Sequence, residues 1–297
     1  MKKAILVAIC ILFTTTIFAQ QALDKIFLKD EIRMVVIEEV GINTIKYRHK
    51  DEATSYIISK HQVDKIEFSS GREEVFESPF KPVKSLEDSE KVYISYIPQD
   101  VEGLKAMGDV FSKATGVTAL ASINNVKNRA VRKIKIEAAM LGANVILIGD
   151  TFQRGNQYGN ENIPSNATMT TLSGIAYSTE KTDFTSLKEK LENNRFQYFQ
   201  SAKLNRNAWD VNLQYPETHN AKGELILVDF ENVVIRDGGL YVQTKGIRTK
   251  GNELKVVNSN EEMVVLMERD GKTIYNYTLF SEKDPKVAMA IKIANSK

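Results

Sequence analysis

The chain has 297 residues, 42% hydrophobic, 26% charged and 8% aromatic, a balance that supplies packed cores and excludes disordered and collagen-like classes. At about 100–200 residues per domain this length fits two domains or three small ones. A formal charge of +2 gives no global field to gather nucleic acid or an anionic membrane, so any such contact needs a local patch.

Lys2 and Lys3 precede an apolar run from Ala4 to Phe13, and Thr14 to Ala19 closes on a small residue. This is the layout of a secretory signal peptide over 1–19, with cleavage expected after Ala19 and Gln20 as the new terminus. The apolar run is shorter than the roughly 18–20 residues a spanning helix needs, so no transmembrane span is expected in the mature chain. The expected location is periplasmic or extracellular. The one cysteine, Cys10, lies inside the apolar run, which leaves the mature chain without disulfides or thiolate metal sites. Loss of Lys2 and Lys3 also leaves 38 basic residues against 38 acidic ones.

Residues 20–76 carry short β runs between turns: Ile26 to Leu28, Arg33 to Val40, Thr44 to Arg48, Ser55 to Ser59 and Val63 to Phe68. They predict a small antiparallel sheet or barrel. The order resembles a small β-module of exported Bacteroidetes proteins, patterned L-K-[DN]-G-x-x-I…I-x-Y…I-x-K-x-x-V-x-x-I-x-F-x-x-G. Here the first turn, Lys29-Asp30-Glu31, lacks the usual glycine. The resemblance implies source and architecture, and no activity. Residues 77–90, with Pro79, Pro82 and many charges, read as a linker.

Residues 91–178 predict an α+β domain of order β-β-α-β-β. Val92 to Ile97 and Gly108 to Ala114 alternate as strands, the second with Val110, Ser112 and Ala114 on one face. Between Asn124 and Leu141 the period becomes helical, with Ala130, Ile134, Ala138 and Leu141 in a narrow apolar arc and Gly142 as the stop. Asn144 to Ile148 and Met169 to Tyr177 are strands around a glycine- and asparagine-rich loop over Gln153 to Asn166. The residues Asn128-Arg129-Ala130, Ala138 to Ile146 and Ser173 to Ala176 resemble the fold shared by the envelope-stress lipoprotein RcsF and the YbjQ-type "heavy-metal-binding" domains. Those families place an arginine in the helix, an A-x-x-x-G/K-A-N-A-V/I junction and a closing G-x-A strand at similar spacing. RcsF's disulfides have no counterpart here, so its redox behaviour and partners do not carry over. Residues 183–297 then predict a β-rich barrel or sandwich: Ser186 and Glu189 box a short helix, strands follow from Phe196, and Asp270-Gly271 marks a hairpin before a helix at Pro285 to Ala294.

His49, His61 and His219 are unpaired at ligand spacing, so no metal site and no cofactor is expected. Ser173-Gly174 lacks the first glycine of a nucleophile elbow. Gly155 to Gly159 lacks the Lys-Ser/Thr pair of a phosphate loop. The acidic pairs Glu38-Glu39, Glu73-Glu74 and Glu261-Glu262 are adjacent residues that point to opposite faces of a strand. One feature stands out, the helix face carrying Arg129, Arg132, Lys133 and Lys135 with Ile136 among them, a candidate contact for an anionic envelope component or protein partner. Reversal of Arg129, Arg132 and Lys133 to Glu is expected to leave the fold intact. The resulting expectation is an exported, non-enzymatic protein that acts as a binding, structural or envelope-sensing component. The alternative is an enzyme that uses carboxylates in an inter-domain cleft.

Overall fold

A computed structural model describes residues 22–116, 122–156 and 166–294. The expected signal segment and most of the glycine- and asparagine-rich loop fall outside these residues. The architecture is α+β with several open sheets, and the chain divides into two compact units, residues 1–78 and 79–297. No helix among the described residues is long and apolar enough to cross a membrane.

In the first unit β1 (Asp24–Leu28), β2 (Ile32–Val40), β3 (Thr44–Arg48), β4 (Ser55–Ser59), β5 (Val63–Glu67) and β6 (Glu73–Val75) form one antiparallel sheet, ordered β4-β3-β2-β1-β5-β6. Ile26, Val35, Ile45, Val63 and Ile66 fill its core, all fully buried, and Val63 and Ile66, three residues apart, both face inward where the β1–β5 register shifts at Phe27 and Leu28. The glycine-free first turn closes through Leu28 N–H donating to the Glu31 carbonyl at 2.9 Å. Asp24 is buried because its carboxylate accepts from Ile37 N–H at 2.9 Å and Ser69 N–H at 2.8 Å.

The second unit begins where a linker is expected. Residues 79–91 pack instead: Val83 is buried in the unit's core, and the Asn258 amide donates to its carbonyl at 2.9 Å. β7 (Tyr93–Ser95), β8 (Lys105–Thr115), β9 (Val145–Asn156) and β10 (Asn166–Ser178) form a sheet ordered β7-β9-β10-β8, with β7 parallel to β9. Val110, Ser112 and Ala114 are buried together, as their alternation requires. Helix α1 (Ile123–Met140) lies on this sheet through Ala130, Ile134 and Ala138, all fully buried. Gly142 ends it at φ +77°. Asn144 then ties the turn: its amide donates to Thr179 Oγ1 at 2.8 Å and its carbonyl accepts from Thr179 N–H at 3.0 Å.

Helix α2 (Phe184–Glu192) starts earlier than the Ser186–Glu189 box implies, because Asp183 is the cap, accepting from Thr185 N–H at 3.0 Å and Ser186 N–H at 3.3 Å. β11 (Phe196–Asn205), β12 (Asn212–Gln214), β13 (Leu227–Val228), β14 (Phe230–Arg236), β15 (Gly239–Thr244), β16 (Leu254–Ser259), β17 (Met263–Asp270) and β18 (Thr273–Ser281) follow, with α3 (Pro285–Ala294) last. Their sheet is ordered β12-β11-β18-β17-β16-β15-β14, with β13 on β11; its ends do not pair, so it is not a closed barrel. The regions expected as two domains, 91–178 and 183–297, share one core: Ala202, Leu204, Met267 and Ile274 of the larger sheet cluster with Val110, Ile134, Ile146 and Leu172.

Candidate functional site

The basic face of α1 is not the continuous exposed surface its sequence suggests. Lys133 and Ile136 are 5% and 3% exposed. The cause is a second contact surface: α1 meets β18 and the turn at 86–91 as well as its own sheet, so the end of the helix is enclosed on more than one face. Lys133 Nζ donates to the Lys113 and Arg206 carbonyls at 3.0 and 2.9 Å. Lys135 Nζ donates to the Glu90 carbonyl at 2.8 Å. Arg129 donates to the Thr115 carbonyl at 2.7 Å and lies over the Trp209 ring, while Arg132 pairs with Asp210 at 3.1 Å. Reversing Lys133 to Glu would set a carboxylate against two carbonyls in a buried position, so the fold is not expected to tolerate the triple reversal.

Buried carboxylates are likewise committed to the fold. Glu137 accepts from Phe111 N–H at 3.0 Å and pairs with Arg269 at 3.1 Å. Burial nonetheless pushes its carboxyl above the ordinary value, against the opposing pull of Phe111 N–H, Arg269, Arg206 and Lys133. Glu268 accepts from Tyr277 Oη at 2.6 Å, from Gly251 N–H at 2.9 Å and from Lys250 N–H at 3.0 Å, and burial with this carboxylate pushes the Tyr277 phenol up. Asp100 is fully buried and accepts from Ser95 Oγ at 2.6 Å. Among the described residues no group of three or more His, Asp and Glu side chains is arranged to hold a metal ion.

A cleft of about 480 Å³ in the second unit opens between the start of β8, the N-terminus of α2, the β14–β15 hairpin and β16. Five lysines line it, at 84, 105, 181, 190 and 255, against the carboxylates of Glu180, Asp183 and Glu261. Asp183 is already spent on capping α2. Lys105 lies over the Phe184 ring at 4.5 Å and donates to the Gly238 carbonyl. Lys255 runs past Gly239, where an added β-carbon would stand 3.5 Å from its Cε. Two ammonium-bearing chains thus converge on one glycine turn. Burial lowers the pKa of Lys105, and repulsion from Lys255 lowers it further. Burial alone lowers that of Lys255, whose ammonium has no hydrogen-bond or ion-pair partner among the described residues. On the opposite wall Lys190 donates to the Asn260 carbonyl and to Ser259 Oγ, the latter at 3.3 Å, and burial lowers its pKa too.

Sequence reasoning missed this lysine set because Lys105 and Lys255 sit in different sheets and share no motif. Only the packing of the two sheets brings them together. No family model, curated protein or solved structure matches the chain, so the functional reading rests on the geometry of these residues.

Proposed function

We propose that the chain is an exported, non-enzymatic binding protein whose lysine cleft takes a small multivalent oxyanion, a phosphate or polycarboxylate. The observation that carries this reading is Lys255: a half-buried ammonium without a partner among the described residues, next to a second desolvated ammonium, is an arrangement that an anion stabilises. Burial of charge without a counter-charge costs folding energy, and a ligand that supplies the counter-charge recovers it on binding. Support for binding over carboxylate catalysis comes from Glu137, Glu268, Asp100 and Asp183, which each accept hydrogen bonds that hold the fold together. Export is supported by the tripartite pattern of residues 1–19.

Calorimetric titration of the chain with inorganic pyrophosphate, and separately with citrate, tests the reading. Saturable binding by at least one, weakened about tenfold or more in Lys255→Met and again in Lys105→Met, is expected. Equal affinity in the wild type and both variants, or no heat with either anion, would overturn it.

A further inference from the structure

The second feature of the molecule that lacks an assigned role is its single tryptophan. Trp209 is 63% exposed, yet its loop is held from several sides. The Arg129 guanidinium carbon lies 3.7 Å from the indole centroid. Arg132 pairs with the neighbouring Asp210 at 3.1 Å, and Lys133 donates to the Arg206 carbonyl at 2.9 Å. Within the loop, Asn207 N–H donates to Asn205 Oδ1 and Ala208 N–H to the Asn205 carbonyl, both at 2.9 Å. Three cations of one helix therefore fix a loop whose main exposed product is an indole. A large aromatic surface held rigidly in water is pre-organised for a partner, since little freedom is lost on contact.

We infer that Trp209 is a stacking platform for an acidic saccharide, a sugar ring that bears a carboxylate. A cavity of about 330 Å³ adjoins the indole, lined among others by Lys113, Thr115, Arg129, Lys133 and Asn207. The pattern of one aromatic plane surrounded by polar side chains suits a ring with an apolar face and hydroxyl edges. A membrane surface would call for further apolar side chains around the indole, and single-stranded nucleic acid for successive aromatics. Charge selects the acidic member of the class, because three cations and no carboxylate line the cavity. The Lys113 ammonium has no partner among the described residues, and Arg129 is bonded to a carbonyl that leaves its charge unneutralised, while Lys133, bonded to two carbonyls, feels the nearby carboxylates of Glu137 and Asp210.

A single tryptophan makes the site its own reporter. Titration of the full chain with trigalacturonate should shift the emission to the blue in a saturable way, with neutral cellotriose at least about tenfold weaker. Lys113→Gln, at an exposed position, should weaken the acidic sugar and leave the neutral one unchanged. Calorimetry on Trp209→Ala should lose the saccharide heat while pyrophosphate binding at the lysine cleft persists, which separates failure of this site from failure of that one. An emission unmoved by trigalacturonate, an equal response to cellotriose, or a response only to phosphatidylglycerol vesicles would overturn the assignment.

Discussion

A β-carbon placed on Gly142 would stand 2.2 Å from the Val257 carbonyl oxygen, at a backbone φ of +77°. The sequence reads this glycine as a left-handed helix stop. That Val257 closes over it depends on the second sheet, which local pattern does not see. Gly142→Ala therefore combines strain with overpacking and should cost about 2 kcal/mol or more in urea unfolding. Gly271→Ala, at φ +55° with open space around it, should cost about 1 kcal/mol; equal costs would remove the close-approach argument. Glu137 gives a pH signature. Its folded pKa is raised above 4.5, so the native state keeps a proton that the unfolded chain has released. Its cost to stability is absent below 4.5 and grows as pH rises through the folded value. Glu137→Gln should accordingly gain on the wild type as pH rises above 4.5, and parallel stability curves would contradict this. Lys255→Met should be stabilising at neutral pH by about 0.5 kcal/mol after solvent screening. The lowered lysine pKa makes this gain fade as pH rises toward 10.5, a trade of stability for a site.

At the scale of elements, α1 shows what periodicity conveys and what it omits. Ala130, Ile134, Ala138 and Leu141 form the buried arc that their spacing predicts. Period alone assumes one buried face, and so it leaves Lys133 and Ile136 in solvent. The enclosure of both comes from β18 and the turn at 86–91, which lie far away in sequence or read as linker. The helix cations consequently differ in weight. Lys133→Met strands two carbonyl acceptors and should cost about 1–3 kcal/mol, whereas Arg132→Ala breaks an exposed ion pair and should cost under about 1 kcal/mol. Comparable losses in thermal unfolding would refute the distinction. A strand with clear alternation, such as Thr44–Arg48, is legible to the residue, and so is Ser55–Ser59 from its β-forming run between turn residues, although its burial does not alternate. The three-residue edge strands Glu73–Val75 and Asn212–Gln214 are not, because so few residues carry no period.

For the whole molecule, the shared core across 91–178 and 183–297 implies that these regions unfold together. Residues 79–297 should melt in one transition, and residues 91–180 alone should lack dispersed amide resonances, since Ala202, Leu204, Met267 and Ile274 would be missing from their core. A well-dispersed spectrum for that fragment would restore the three-domain expectation. N-terminal sequencing of exported protein should begin at Gln20. The lysine cleft arises at this same scale, from two sheets meeting, and for that reason no motif announced it. Its most direct test is a pH titration of the lysine side-chain resonances of the full chain, with and without inorganic pyrophosphate, assigned through Lys105→Met and Lys255→Met. Both lysines should titrate below the surface lysines in the free protein, and both midpoints should rise when pyrophosphate is bound. A Lys255 that titrates with the surface lysines, or midpoints unmoved at saturating pyrophosphate, would contradict the anion-binding account.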